Sequence, residues 1–123
     1  MASGKILVVD DQDSVRDFLS ECLGSMGYET LSASDAQEAL KIYHVKSEEI
    51  ALVITDMTMP EISGIELAAK LYESDQNAKV ILTTGYDTST LNGMPPSIIN
   101  IVSKPYNIPD LFAAVEKALQ PTA

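Results

Sequence analysis

An alternation of two segment types is what most narrows the fold open to this chain. Four short runs, Ile6-Leu7-Val8-Val9, Ala51-Leu52-Val53-Ile54-Thr55, Val80-Ile81-Leu82-Thr83 and Ile98-Ile99-Asn100-Ile101-Val102, are rich in β-branched residues and apolar on both faces. Strands of that kind are covered by helices on both sides. A more polar run, Tyr28 to Ala33, reads as an edge strand. Between the runs lie helical patterns. Val15, Phe18, Leu19, Cys22, Leu23 and Met26 follow the i, i+3, i+4, i+7 spacing, and Gly27 stops that helix. Ser34 with Gln37 reads as a capping box ahead of Ala39, Leu40 and Tyr43, and Ser63 with Glu66 as another ahead of Leu67, Ala68 and Leu71. Asn107 caps a last helix with the stripe Ile108, Leu111, Phe112, Val115 and Leu119. Thr88 to Pro96 holds Asn92-Gly93 and Pro95-Pro96, and supports only a short or frayed fourth helix.

The order is strand then helix, five times, without internal repeats or a linker. Right-handed crossovers turn that order into an α/β fold, a doubly wound five-stranded parallel sheet in the order 2-1-3-4-5 with helices on both faces, a flavodoxin-like arrangement. The chain has 123 residues, enough for one domain whose core needs no disulfide or structural metal. Residues 5–120 form that domain, and 1–4 and 121–123 are read as tails.

Charge excludes several functions. Eight Lys plus Arg against eighteen Asp plus Glu give a net charge of −10. Such a chain is not built to displace counterions from nucleic acid or to dock on an anionic membrane. The lone cysteine, Cys22, can form no internal disulfide and no zinc site, and reads as core. The apolar runs are too short to span a bilayer and no signal-peptide pattern opens the chain, so a cytoplasmic location is expected.

In a doubly wound sheet, ligands bind beyond the carboxyl ends of the strands. The first strand ends in Asp10-Asp11, with Asp13 close behind, and the third ends in Asp56. These strands are neighbours roughly 4.8 Å apart. An Asp after a strand is often a helix N-cap, a role open to Asp11 or Asp13. Taken together, Asp10, Asp11 and Asp56 crowd one cleft. At about 5 Å and an effective dielectric near 20, each like-charged pair costs on the order of 3 kcal/mol. No Arg or His is read as relieving them, so a cation is expected, and oxygen-only ligands suit Mg²⁺. The fourth strand ends in Thr84-Gly85, a hydroxyl donor beside a backbone that can approach closely, with Thr83 on the opposite face. The fifth ends in Lys104-Pro105, which places an ammonium over the same cleft. Metal, ammonium and hydroxyl around a carboxylate form the arrangement that phosphoryl transfer requires, with Asp56 as nucleophile.

The motifs Ile6-Leu7-Val8-Val9-Asp10-Asp11, Ile54-Thr55-Asp56-Met57-Thr58-Met59-Pro60, Ser63-Gly64, Thr84-Gly85 and Lys104-Pro105 stand in order from Lys5 to about Leu119. In this the sequence resembles the receiver domains of two-component response regulators, chemotaxis regulators among them. The resemblance implies that Asp56 is the phospho-acceptor, that Asp10, Asp11, Asp56 and the Met57 backbone carbonyl bind Mg²⁺, that Thr84 is the switch hydroxyl and that Lys104 binds phosphate across a cis Lys-Pro bond. It also implies a histidine kinase or histidine phosphotransfer domain as donor, and a downstream protein or tethered domain as recipient of the switch. The chain is read as either a stand-alone receiver or one from a larger protein such as a hybrid histidine kinase; beyond self-phosphotransfer and autodephosphorylation, no turnover of a separate substrate is expected of it, though a parent protein could be a histidine kinase. Two departures stand out. Ile101 occupies a position that is often aromatic in the family, and the fourth helix is weak. Tyr86 is read as a rim residue, and Thr58 and Tyr86 fall where family members tune acyl-phosphate lifetime.

His44, the only histidine, lies near the end of the second helix, so the phosphohistidine must come from elsewhere. Two alternatives stay open at this point. Asp11-Gln12-Asp13 offers the Asp-x-Asp pattern of haloacid-dehalogenase phosphatases, and a receiver-like fold can serve as an unphosphorylated interaction module.

Overall fold

The computed structural model describes residues 4–58, 61–85, 94–103 and 108–119. Among them run β1 (Lys5–Val9), α1 (Asp13–Ser25), β2 (Thr30–Ala33), α2 (Ala36–Lys46), β3 (Ile50–Asp56), α3 (Gly64–Ser74), β4 (Val80–Thr84), β5 (Ile98–Ser103) and α4 (Ile108–Leu119). The strands form one five-stranded sheet in the order β2-β1-β3-β4-β5, with every neighbouring pair parallel. This is the doubly wound sheet expected from the alternation. The expected short helix over Thr88–Pro96 lies, as far as Gly93, outside the described residues, as does the Asn107 cap. Met94 to Ser97 form no helix, and the Ile98 N–H donates to the Pro95 carbonyl at 3.1 Å.

Strand alternation sorts the core into two layers. Leu7, Val9, Val53 and Val80 face α2 and α3, where they meet Ala36, Ala39, Tyr43, Leu67, Ala68 and Leu71. Ile6, Val8, Leu52, Ile54 and Ile81 face α1 and α4, where they meet Leu19, Leu23, Leu111 and Val115. Each Val, Leu or Ile among them, fully buried, contributes roughly 1.5–3 kcal/mol, and this two-sided burial is what the continuous apolar runs encode.

Several local expectations are corrected. Phe18 is 44% exposed; the buried residues of α1 are Leu19 and Leu23. Helix α2 starts one residue later than the Ser34–Gln37 pairing implies. Asp35 is its N-cap and accepts the Glu38 N–H at 2.7 Å, while the Glu38 carboxylate accepts from the Ser34 N–H at 2.6 Å. The cap is thus shifted by one residue, and Glu38 reaches back to the N–H before the cap rather than to that of Asp35 as a full capping box would. Ser63 caps α3 as expected, its Oγ accepting the Glu66 N–H at 3.2 Å. Ile99, in a run read as apolar on both faces, is 45% exposed. The register explains this: Val80 pairs with Ile98 but Ile81 pairs with Asn100, so Ile99 is the extra residue of a bulge in an edge strand. A similar slip makes Ala51 the extra residue opposite Lys5 and Ile6. Gly4 packs against it so closely that a Cβ would stand 2.2 Å from that of Ala51. Among the described residues, no helix is long and apolar enough to cross a membrane.

Candidate functional site

The β1–β3 register carries three side chains to one place. Pairing continues to Val9 opposite Thr55, so the next residues, Asp10 and Asp56, stand side by side at the carboxyl ends of adjacent strands. Asp10, Asp11 and Asp56 each present a carboxylate oxygen within 4.8 Å of the others. Asp10 is 1% exposed and Asp56 9%, whereas Asp11 lies open to solvent. Two of the three charges are thus held away from water beside like charge, and the third closes the cluster from its outer side. All three candidate acids singled out in the sequence are brought together.

Main-chain hydrogen bonds fix the orientation of the buried pair. The Gln12 N–H donates to Asp10 Oδ1 at 2.9 Å, which closes the loop between β1 and α1. Neither Asp11 nor Asp13 is the N-cap of α1; Gln12 occupies that position and Asp13 is the first helical residue. The Thr58 N–H donates to Asp56 Oδ1 at 3.3 Å. Beyond β3, the Met57 N–H donates to the Thr83 carbonyl at 2.8 Å, so the ladder to β4 runs one residue past Asp56. The Met57 carbonyl in turn accepts the Gly64 N–H at 2.9 Å, which leaves it a second lone pair.

Gly64 is glycine for a steric reason. A Cβ there would stand 2.3 Å from the Asp56 carbonyl oxygen and 2.9 Å from Leu82 Cδ1. The first turn of α3, capped by Ser63, is therefore seated directly on the main chain of Asp56.

On the other side, Asp56 pairs with Thr83, so Thr84 stands one step further toward the cleft and is buried at 1% exposure. Thr83 Oγ1 donates to the Thr55 carbonyl at 3.4 Å, a contact within the sheet, in keeping with the packing role read for it. Thr84 pairs with Ser103, the residue before Lys104. Lys104, its bond to Pro105, and Tyr86 lie outside the described residues. Ile101, at the often-aromatic position, is half-buried opposite Leu82.

One residue escaped the sequence reading, which found no cation beside the acids. Arg16 donates from Nη1 to the Asp10 carbonyl at 2.7 Å, and its Nη2 forms an ion pair with Asp13 Oδ1. The signal was present in the i, i+3 spacing of Asp13 and Arg16 on the first turn of α1. Asp13 is thereby engaged with Arg16 rather than with the carboxylate cluster, which removes the second acid that a phosphatase Asp-x-Asp pattern would need.

The donors presented here are carboxylate oxygens, two of them from buried or nearly buried acids and one from an exposed acid. Such a set fits a hard divalent cation that keeps part of its water shell.

Comparison with known proteins agrees with this geometry. Residues 6–116 match the family model of the response regulator receiver domain. The chain is 34% identical over 121 residues to sporulation initiation phosphotransferase F of Bacillus subtilis, with 97% of this chain and 96% of that protein covered. It is 32% identical over 117 residues to the response regulator receiver protein CpdR of Brucella abortus, covering 94% and 96%. Among solved structures, response regulator TrrA of Thermotoga maritima in complex with Mg²⁺ and BeF superposes with a TM-score of 0.85 at 37% identity, covering 94% of this chain and 99% of that one. A second structure shows TrrA bound to the histidine kinase ThkA, again with a TM-score of 0.85 and 37% identity. From the sheet order, the strand-end acids and these matches, the chain belongs to the response regulator receiver domain family.

Proposed function

We propose that this receiver domain takes a phosphoryl group from the phosphohistidine of a histidine kinase or phosphotransfer domain onto Asp56, with Mg²⁺ held by Asp10, Asp11, Asp56 and the Met57 carbonyl. The observation that carries this reading is the convergence of three carboxylates within 4.8 Å, with Asp56, the last residue of β3, nearly buried among them. A bound divalent cation supplies charge neutralisation for the acids and for the equatorial phosphoryl oxygens.

The chain's own residues do the rest. The Asp56 carboxylate attacks phosphorus in line, a new O–P bond forms as the N–P bond to the donor imidazole breaks, and the imidazole leaves with the bonding pair and takes up a proton from water. Asp56 enters the reaction already oriented, because the Thr58 N–H and the close seat of Gly64 fix it. Such prepaid positioning is the main protein contribution to this chemistry. The phosphoryl group adds about −2 charge and three strong acceptors. The Thr84 hydroxyl, on the adjoining strand, turns to donate to one of them, and Lys104 pairs with another. These movements carry the switch from the cleft to the surface read by a downstream protein or a tethered domain. The relatives support this reading: one is a phosphotransferase, and another is found with Mg²⁺ and BeF and with a histidine kinase. A cytoplasmic setting, where histidine kinases draw on ATP, accords with it.

The test is phosphotransfer from a phosphorylated histidine kinase to the purified chain. Transfer should require Mg²⁺ and be abolished in Asp56→Asn. Full Mg²⁺-dependent labelling of that variant would refute the assignment.

A further inference from the structure

We infer that Arg16 is a positioning residue that sets the cation selectivity of the acidic cleft by keeping Asp13 out of it. The inference rests on the proposed metal-binding role of Asp10, Asp11 and Asp56. The loop from Asp10 to Asp13 contains three acids in four residues, yet the cluster within 4.8 Å contains Asp10, Asp11 and Asp56 and not Asp13. The missing acid is the one that Arg16 holds, through Nη2 on Asp13 Oδ1.

The two partners differ in how firmly they are fixed. The Arg16 side chain is 15% exposed and that of Asp13 is 85% exposed. Arg16 is anchored independently of Asp13, because its Nη1 donates to the Asp10 carbonyl at 2.7 Å. The planar guanidinium makes both contacts at once from a rigid fork of donors, a fixed geometry that an ammonium does not offer. Arg16 therefore ties the main chain of one metal-binding acid to the side chain of a non-binding one. Asp13 begins α1, two residues after Asp11, and its carboxylate turns on two side-chain torsions. Without the guanidinium it becomes a fourth carboxylate available to the cleft.

The number of carboxylates distinguishes the two abundant hard cations. Mg²⁺ is small, demands near-octahedral geometry and keeps several of its waters, whereas Ca²⁺ accepts six to eight oxygens in flexible geometry. A cluster in which the exposed Asp11 can act through one of those waters leaves room for the former. A fourth, mobile acid suits the latter.

The experiment is calorimetric titration of the purified chain with Mg²⁺ alone and with Ca²⁺ alone, for wild type, Arg16→Gln, Arg16→Lys and the double variant Arg16→Gln with Asp13→Asn. Folding of each variant is checked by urea denaturation. In Arg16→Gln the preference for Ca²⁺ over Mg²⁺ should rise about tenfold, as expected when ligand charge count tunes affinity. Arg16→Lys should shift in the same direction by less, and provides the test if the glutamine variant does not fold. The double variant should return to the wild-type ratio, an outcome that general loosening of the loop would not produce. A ratio within about twofold of wild type in both single variants, or a shift that persists when Asp13 is neutralised, overturns the inference while leaving the metal site standing. Wild-type protein that binds neither cation contradicts the metal site itself.

Discussion

Gly64 and Asp56 are in direct steric contact: a methyl group on the Gly64 Cα would stand 2.3 Å from the Asp56 carbonyl oxygen. Helix α3 thus begins against the main chain of Asp56, and its first N–H is used on the Met57 carbonyl. Gly64→Ala should destabilise the protein by about 1–3 kcal/mol, the range for overpacking a filled site, and should slow phosphoryl acceptance as well. Gly24, in α1, meets nothing within 4 Å at the same test position. Gly24→Ala should leave acceptance unchanged and raise stability by roughly 0.5–1 kcal/mol, the usual gain for a helical glycine. Urea denaturation with a transfer assay on both variants checks the contrast.

Repulsion within the cluster makes a second prediction. Without divalent cation, Asp11→Asn should stabilise the fold by about 1 kcal/mol, below the roughly 3 kcal/mol of an unscreened pair because Asp11 faces water. With Mg²⁺ at a hundred times its dissociation constant, the wild type should gain about 2.7 kcal/mol, and the variant much less. The order of stability therefore reverses on adding Mg²⁺. Urea midpoints measured in chelator and in Mg²⁺ report it.

Tyr43 gives a pH-dependent prediction remote from the cleft. Burial and then the hydrogen bond it donates to Asp75 Oδ2 at 2.8 Å push its hydroxyl well above the ordinary value of 10.0. Above pH 10 the unfolded chain releases this proton while the folded chain keeps it. The stabilisation is complete below pH 10 and falls as pH rises. Tyr43→Phe should cost about 1.5 kcal/mol at pH 7, as for a hydrogen bond to a charged group. It should also flatten the decline of stability above pH 10, and thermal midpoints between pH 7 and pH 11 would show both effects.

Much of this architecture could be read from the residues, because strands covered on two sides must be apolar on two faces, and β1, β3 and β4 are. The strand-end acids were equally legible, since the sheet order makes Asp10 and Asp56 neighbours once the strands are placed. What escaped was local. Ile99 is exposed because a bulge shifts the register of β5, and nothing in an Ile-Ile-Asn-Ile run marks which residue will be the extra one. The α2 cap moved by one residue because Asp35 and Ser34 are both good caps, and the position of Glu38 decides between them. Arg16 was only half legible: the i, i+3 spacing marks its pairing with Asp13, but its anchoring contact with the Asp10 main-chain carbonyl is displayed by no side-chain pattern.

The most direct test is to locate the phosphorus. The chain is phosphorylated by a histidine kinase in Mg²⁺, reduced with borohydride, which converts an aspartyl phosphate to homoserine, and mapped by peptide mass spectrometry. Homoserine at position 56, absent when Mg²⁺ is chelated, is the expected result. Homoserine at Asp10, Asp11 or Asp13 in place of Asp56, or no modified acid at all after transfer, would contradict it.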